Sequence, residues 1–232
     1  MSEIFITNTR PEHLMGCAAL QGVCFPNVNK DALFTEAHIA NHILLFPEGQ
    51  FVAIERQSGK VVGMTAGLRT HGQLEQHRAH NYAHATSDGW FWNHEPNGTY
   101  YYGGDMSVHP DYRGKGIARK FYDVRKALCK RLGLKGQIIG GMIPGFVNYK
   151  QSMNVYEYVC HVIAGNIFDP TMTPQLRNGF VWRGMIPNYV SDPPSEGWAT
   201  LMECPNADYV DKKRSAATTQ RPAEMSKWQL LI

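Results

Sequence analysis

Between Val108 and Arg119 the chain reads Val-His-Pro-Asp-Tyr-Arg-Gly-Lys-Gly-Ile-Ala-Arg. A β-branched stretch ends at Pro110, glycines follow at 114 and 116, and an amphipathic stretch begins. The first-turn amides of a helix have no intrahelical partner, and the helix dipole is positive there. A strand, a glycine turn and a helix in that order therefore make a phosphate site. Gly114 and Gly116 let the backbone approach a ligand closely, and Arg113, Lys115 and Arg119 add positive charge. Nine Lys or Arg lie from Arg113 to Lys135, with only Asp111 and Asp123 against them. Charge alone would make this run a solvated helix face; the adjoining glycines turn the reading toward a phosphorylated ligand. Two other phosphate motifs fail at single residues. A Walker loop needs Ser or Thr after Gly-Lys, where Gly116 stands. A dinucleotide fingerprint needs a third glycine, where Arg119 stands.

The elements that must hold this turn can be read around it. Residues 4–6 predict a first strand, and 11–24 a helix stopped by Pro26. A second helix is predicted over 35–46, its stripe Ile39, Ile43 and Phe46, ended by Pro47 and Gly49. Strands at 51–54 and 61–68 flank the turn residues 57–60. Residues 70–98 are polar and rich in His, Asn and Gly, and read as an insertion that is a binding lid or a surface excursion. Tyr100 to Tyr102 and Met106 to Val108 read as strand, with Gly103-Gly104 a bulge or bend between them. A helix over 116–132 has Phe121, Val124, Leu128 and Leu132 on one face and Gly133 at its end. Residues 137–140 predict a strand, 154–164 a helix, and 169–179 a short helix broken by Pro170 and Pro174. Further strands are predicted at 180–182 and 199–202. From Pro205 the pattern fades into a tail, giving a domain over 1–204 and a tail over 205–232. Strands alternating with helices predict an α/β fold with helices on both faces of a mixed sheet.

Bulk properties exclude several classes. With 232 residues the chain can bury one sizeable core, and 43% hydrophobic with 19% charged residues is ordinary globular composition. No apolar run approaches the roughly 20 residues of a membrane span, and the start lacks the basic and apolar regions of a signal peptide. The net charge of +3 is too weak to indicate nucleic acid, and no recognition motif accompanies the basic run. Cys17, Cys24, Cys129, Cys160 and Cys204 are odd in number and lack a CxxC pair. They are expected to be reduced, small buried hydrophobes of a cytoplasmic protein.

Arg113-x-x-Gly116-x-Ala118, after a Val-x-Pro strand end, resembles the cofactor signature of the GNAT superfamily of N-acetyltransferases, [Gln/Arg]-x-x-Gly-x-[Gly/Ala]. Asn178-Gly179-Phe180 resembles that family's later Gly-Phe element. In outline the resemblance covers residues 3–204 and is specific mainly over 106–121. The chain also resembles the acetyltransferase domain joined to nitrilase-type hydrolases in some bacterial proteins, in Met142 to Phe146 and Asp169 to Thr171; the 232 residues are too few to hold such a hydrolase as well.

The resemblance implies the acyl-CoA N-acyltransferase (GNAT) fold, a mostly antiparallel sheet whose fourth and fifth strands splay. It implies acetyl-CoA as cosubstrate, without metal, and direct transfer to an amine of a small molecule or peptide. Met106, Ser107 and Val108 would contact the pantetheine arm and acetyl group. Backbone from Gly114 through Lys115, Gly116, Ile117 and Ala118 to Arg119 would hold the pyrophosphate, with Arg113 shaping the loop. Asp105, beside the bulge, is the candidate base, or else a turn residue bonding local amides. Tyr100, Tyr101 and Tyr102 line the acceptor channel or pack. The family's thiolate acid is a Tyr four residues before the Gly of Gly-Phe; here that residue is Gln175, which cannot act as an acid. Tyr156, Tyr158, another group or water must then serve. Other acyl-CoA donors, an oxygen acceptor, or a CoA-binding sensor with little turnover remain alternatives.

Two weaker groupings stand apart. His77, His80 and His84 have helical spacing but no matching carboxylate or Cys pattern, and read as a polar loop before a metal site. Trp90-Phe91-Trp92 reads as an acceptor lid, a dimer contact or a satellite core. A homodimer through the tail or the last strand is expected as an option.

Overall fold

A computed structural model describes residues 3–71, 77 and 80–210. Helices begin where short polar side chains satisfy first-turn amides. Thr35 caps α2 (Glu36–Leu45) and Asn154 caps α5 (Val155–Ile163), the latter with Glu157 reaching back to complete a capping box. The other helices are α1 (Leu14–Cys24), α3 (Tyr82–Thr86), α4 (Ile117–Arg131) and α6 (Met172–Arg177). Pro174 does not break α6, because in the first turn its missing N–H is not needed.

The strands are β1 (Ile4–Asn8), β2 (Phe51–Glu55), β3 (Val61–Thr70), β4 (Tyr100–Val108), β5 (Gly136–Met142), β6 (Val181–Ile186) and β7 (Ala199–Pro205). They form one sheet in the order β1-β2-β3-β4-β5-β7-β6, antiparallel throughout except for the pair β4 and β5. The expected mixed sheet with helices on both faces is therefore found. α1 and α2 cover one face, where Cys17, Leu20, Phe34 and Ile39 pack on Met64, Leu68, Tyr102 and Ile138. α4 covers the other, with Ile117, Phe121 and Leu128 on Ala53, Val62 and Tyr101. α5 extends that layer over β5 and β7, where Val155, Tyr158 and Val159 share a core with Ile139 and Met202.

The two short strands expected around Gly103-Gly104 are one strand with a bulge. Ala66 faces Asp105 and Gly67 faces Gly103, which leaves Gly104 as the extra residue. Beyond that point β4 and β5 separate. Their parallel pairing runs from Tyr100↔Gly136 to Gly103↔Ile139 and stops. β4 follows β3 to Val108, while β5 follows β7 to Met142.

Several expectations are corrected. β7, the last strand, lies inside the sheet between β5 and β6, so it offers no free edge for a homodimer; the sheet edges are β1 and β6. The tail beyond residue 210 lies outside the described residues. Cys160 is exposed, because it sits on the outer side of α5, and Cys24 is only half-buried, whereas Cys17, Cys129 and Cys204 are buried as expected. The described part of the 70–98 insertion docks on α2: Asn41 Nδ2 donates to Trp90 O and His42 Nε2 to Gly89 O, both at 2.6 Å. Phe91 is fully buried and stacks on His42, whose pKa burial pushes down to about 4. Trp90 and Trp92 stack on each other at 5.0 Å with Trp92 exposed. His80 and His84 pack ring on ring, and His77 stacks on Tyr102.

Candidate active site

The separation of β4 from β5 opens a cavity of about 590 Å³. No strand pairs with the β5-facing edge of β4 past Gly103 among the described residues. That edge and the ends of α1, α4 and α6 line the cavity.

Met106, Ser107 and Val108 all line it, as do Arg113 and Ala118. The arrangement of β4 side chains divides their roles. Asp105 and Ser107 face α1, and Met106 packs toward α4. At the cavity's rim the turn has the form expected of it. Gly114 and Gly116 have φ of +76° and +77°, where a side chain would strain the backbone. Gly116 is the N-cap of α4, no side chain caps that end, and no acid lies in its first turn. The amides of Ile117, Ala118 and Arg119 thus end the helix without an intrahelical acceptor. Ile117 is buried, so only its backbone is available. Lys115 Nζ lies 4.3 Å from the Tyr112 ring centroid, and Arg119 is exposed. Arg113 Nε donates to Val108 O at 3.2 Å, tying the turn to the strand end.

Asp105 is 8% exposed. Ser107 Oγ donates to its two carboxylate oxygens at 3.1 and 2.9 Å, and Gln21 Nε2 to one of them at 3.4 Å. Gln21 is itself fixed by the Phe34 amide, which donates to its Oε1 at 3.2 Å. Burial raises the Asp105 pKa to about 6, against the opposing pull of the Ser107 and Gln21 hydrogen bonds and the Arg125 charge. A carboxyl poised there is mostly ionised at neutral pH yet basic enough to take a proton. It does not bond local amides, as a turn residue would.

On the same face, the Tyr102 and Tyr189 hydroxyls lie 2.7 Å apart, and Tyr82 and Tyr189 reach the cavity. Of the three consecutive tyrosines, Tyr101 packs under α4 and donates to Gly49 O, while Tyr100 donates to Glu203. Tyr158 does not reach the cavity. Its hydroxyl donates to Asp169 Oδ2 at 2.8 Å, and burial, with Asp169 beside it, raises its pKa far above the ordinary value. Tyr156 is exposed against Trp198. Neither is among the residues that line the cavity. Tyr156→Phe is expected to leave turnover unchanged in a steady-state assay, and a tenfold loss would contradict its exclusion.

Gln21, Tyr82, Tyr189 and Arg125 are the residues that motif reading misses. Arg125 belongs to the basic run, but it is 1% exposed and not on a solvated face. The legible signal was its spacing, four residues after Phe121 and three before Leu128, on the apolar stripe. Gln21 carries the same signal, four residues after the buried Cys17.

Comparisons with known proteins bear on the family and the fold. The model of the Acetyltransferase (GNAT) family matches residues 14–157. The chain is 36% identical over 212 residues to the probable hydrolase YhcX of Bacillus subtilis, covering 91% of this chain but 40% of that one. It is 32% identical over 204 residues to an uncharacterized N-acetyltransferase, YkwB, of the same organism, covering 88% of each. Among solved structures, the GNAT-like decarboxylase GphF in complex with isobutyryl-CoA superposes with a TM-score of 0.71 at 19% identity, covering 87% of this chain and 98% of that chain. No helix among the described residues is long and apolar enough to cross a membrane.

Proposed function

The chain belongs to the acetyltransferase (GNAT) family, and from that premise we propose that it transfers acetyl from acetyl-CoA directly to an amine of a small molecule or peptide. The observation that carries the reading is the parted β4 and β5, with an uncapped glycine turn on one side and Asp105 on the other. The amides of Gly114 to Arg119 hold the pyrophosphate, and the free β4 edge from Asp105 to Val108 pairs with the pantetheine arm. The amine enters from the α1 face, past Tyr82 and Tyr189. Asp105 takes its proton, directly or through water, as it attacks the thioester carbonyl. Amides of β4 polarise the carbonyl oxygen, and the cavity's main contribution is to hold the two reactants together. With Gln175 at the place of the usual Tyr, the thiolate takes its proton from water, which recovers one from Asp105. Five free thiols suit a reducing compartment such as the cytoplasm.

Thermal melting tests the cosubstrate. A ligand at about 100 times its Kd stabilises the native state by about 2.7 kcal/mol, which for a chain of this size raises the midpoint by roughly 5–10 °C. Gly116→Glu, which sets a carboxylate against the phosphates, should abolish the shift, while Gly116→Ala, which meets only the φ penalty, should keep part of it. No shift in wild type would sink the reading. A shift without thiol release from any amine in a broad panel would instead favour a CoA-binding sensor, to which Gln175 lends support.

A further inference from the structure

Where β4 and β5 part, just past Ile139, both strands have glycines. β4 has Gly103 and Gly104 there, and β5 has Gly140 and Gly141. Side chains from elsewhere fill the vacated positions. A Cβ on Gly103 would stand 2.7 Å from Arg125 Nη1, one on Gly104 2.7 Å from Phe91 Cζ, and one on Gly141 2.7 Å from Gln175 Nε2; one on Gly140 would collide with the Tyr189 ring. Two of these groups, the Arg125 guanidinium and the Gln175 carboxamide, flank the gap and line the cavity.

Arg125 is the largest fully buried side chain among the described residues. Its Nη2 donates to Thr65 Oγ1, to Asp105 O at 2.5 Å and to Ala66 O at 3.4 Å, and its Nε has no partner. It forms no ion pair among the described residues. The Asp105 carboxylate belongs to the other face of the sheet, where Ser107 and Gln21 hold it. The hydrogen-bond partners of Arg125 are all neutral, and its guanidinium lies 5.1 Å from the Tyr101 ring centroid. The Asp105 carboxylate acts on it only through the sheet, whereas a buried guanidinium is ordinarily paired directly. Gln175 is 4% exposed, and its Nε2, a donor, faces the gap at Gly141. An acetyl methyl group beside them would leave the guanidinium without a charged partner, whereas a carboxylate would pair with it.

We propose that the acyl subsite between Arg125 and Gln175 takes an acyl group ending in a carboxylate, so that the preferred donor is the CoA thioester of a short dicarboxylic acid. The inference rests on the acyl-CoA reading above and narrows its donor. The carboxylate pairs with Arg125 in a charge-assisted hydrogen bond, and the Gln175 amide donates to its second oxygen. Transfer itself is unchanged: the amine N–C bond forms, the C–S bond breaks, and the thiol ends with the proton the amine gives up.

Calorimetric titration of the full chain with CoA, acetyl-CoA, butyryl-CoA, malonyl-CoA and succinyl-CoA tests this. At least one carboxyacyl thioester should bind about tenfold or more tighter than neutral butyryl-CoA, a difference of about 1.4 kcal/mol. Arg125→Met should erase that preference while keeping the affinity for CoA itself. Should Arg125→Met fail to fold, Gln175→Leu takes its place and should cut the preference several-fold. Equal affinity for butyryl-CoA and both carboxyacyl thioesters, with CoA still bound, overturns this inference alone. A preference that survives in the folded variant overturns the assignment to these residues. If CoA does not bind at all, the acyl-CoA reading falls with it.

Discussion

Asp105→Asn is expected to lower amine-dependent transfer by at least two orders of magnitude, the range a positioned general base contributes. The wild-type kcat/KM should climb with pH through about 6 and level off above it, following ionisation of the Asp105 carboxyl. The variant should lose that limb, because a carboxamide has no proton to exchange. It keeps the local geometry: Ser107 Oγ and Gln21 Nε2 both donate to the carboxylate, and an amide oxygen accepts in its place. More than a tenth of wild-type turnover in the variant, or an unchanged acid limb, would remove Asp105 from the chemistry.

The same substitution should stabilise the fold. Burial raises the carboxyl from an unfolded value of 3.8 to about 6, so the native state binds the proton more tightly than the unfolded chain does. Stability is therefore lost as pH rises between these two values, and the loss persists above the higher one. At about 1.36 kcal/mol per pKa unit it comes to roughly 3 kcal/mol at neutral pH. Asn carries no charge and escapes it. The variant's melting midpoint should exceed that of wild type by several degrees at pH 7.5, and the gap should close toward pH 4. A residue that costs the fold stability and remains in place fits a functional role better than a structural one.

The turn from Arg113 to Ala118 and the bulge at Gly104 were legible because local backbone needs fix residue type there: left-handed φ calls for glycine, and the extra bulge residue has no partner. The order of strands followed from alternating periodicity. What the cavity draws from far along the chain was not legible. Gln21, Arg125 and Tyr189 lie on three different elements, and nothing local marks them except a polar residue on an apolar stripe. The Tyr158 hydroxyl looked available as an acid because helical periodicity says which face is buried, not what a buried hydroxyl meets. Its partner, Asp169, comes from the following loop, and its four donors come from three separate places in the chain.

That carboxylate is the basis of the second large effect. Asp169 is fully buried. Its Oδ2 accepts from Tyr158 Oη at 2.8 Å and from the Gly145 amide at 3.0 Å. Its Oδ1 accepts from the Thr171 and Met172 amides at 2.8 and 2.7 Å. It thereby holds the amides that open α6 and ties that helix to α5 and to the 3-10 turn Pro144–Asn148 that follows β5. Pro170, Thr171, Pro174 and Gln175, which line one wall of the cavity, hang from this one side chain. Asp169→Ala would leave four donors without that acceptor, three of them buried. At about 1–3 kcal/mol for each buried unsatisfied group, the loss is at least about 3 kcal/mol. The melting midpoint should fall by on the order of 10 °C, and the KM for donor and acceptor should rise as the wall loosens. Tyr158→Phe removes a single donor and should cost only about 1 kcal/mol. In the Asp169→Ala background it should cost almost nothing, since its hydroxyl would already be unpaired, and that non-additivity is what a double-mutant cycle reads. A fall of less than about 2 °C for Asp169→Ala, or strict additivity of the pair, would mean that other acceptors hold the wall and that Asp169 is not its anchor.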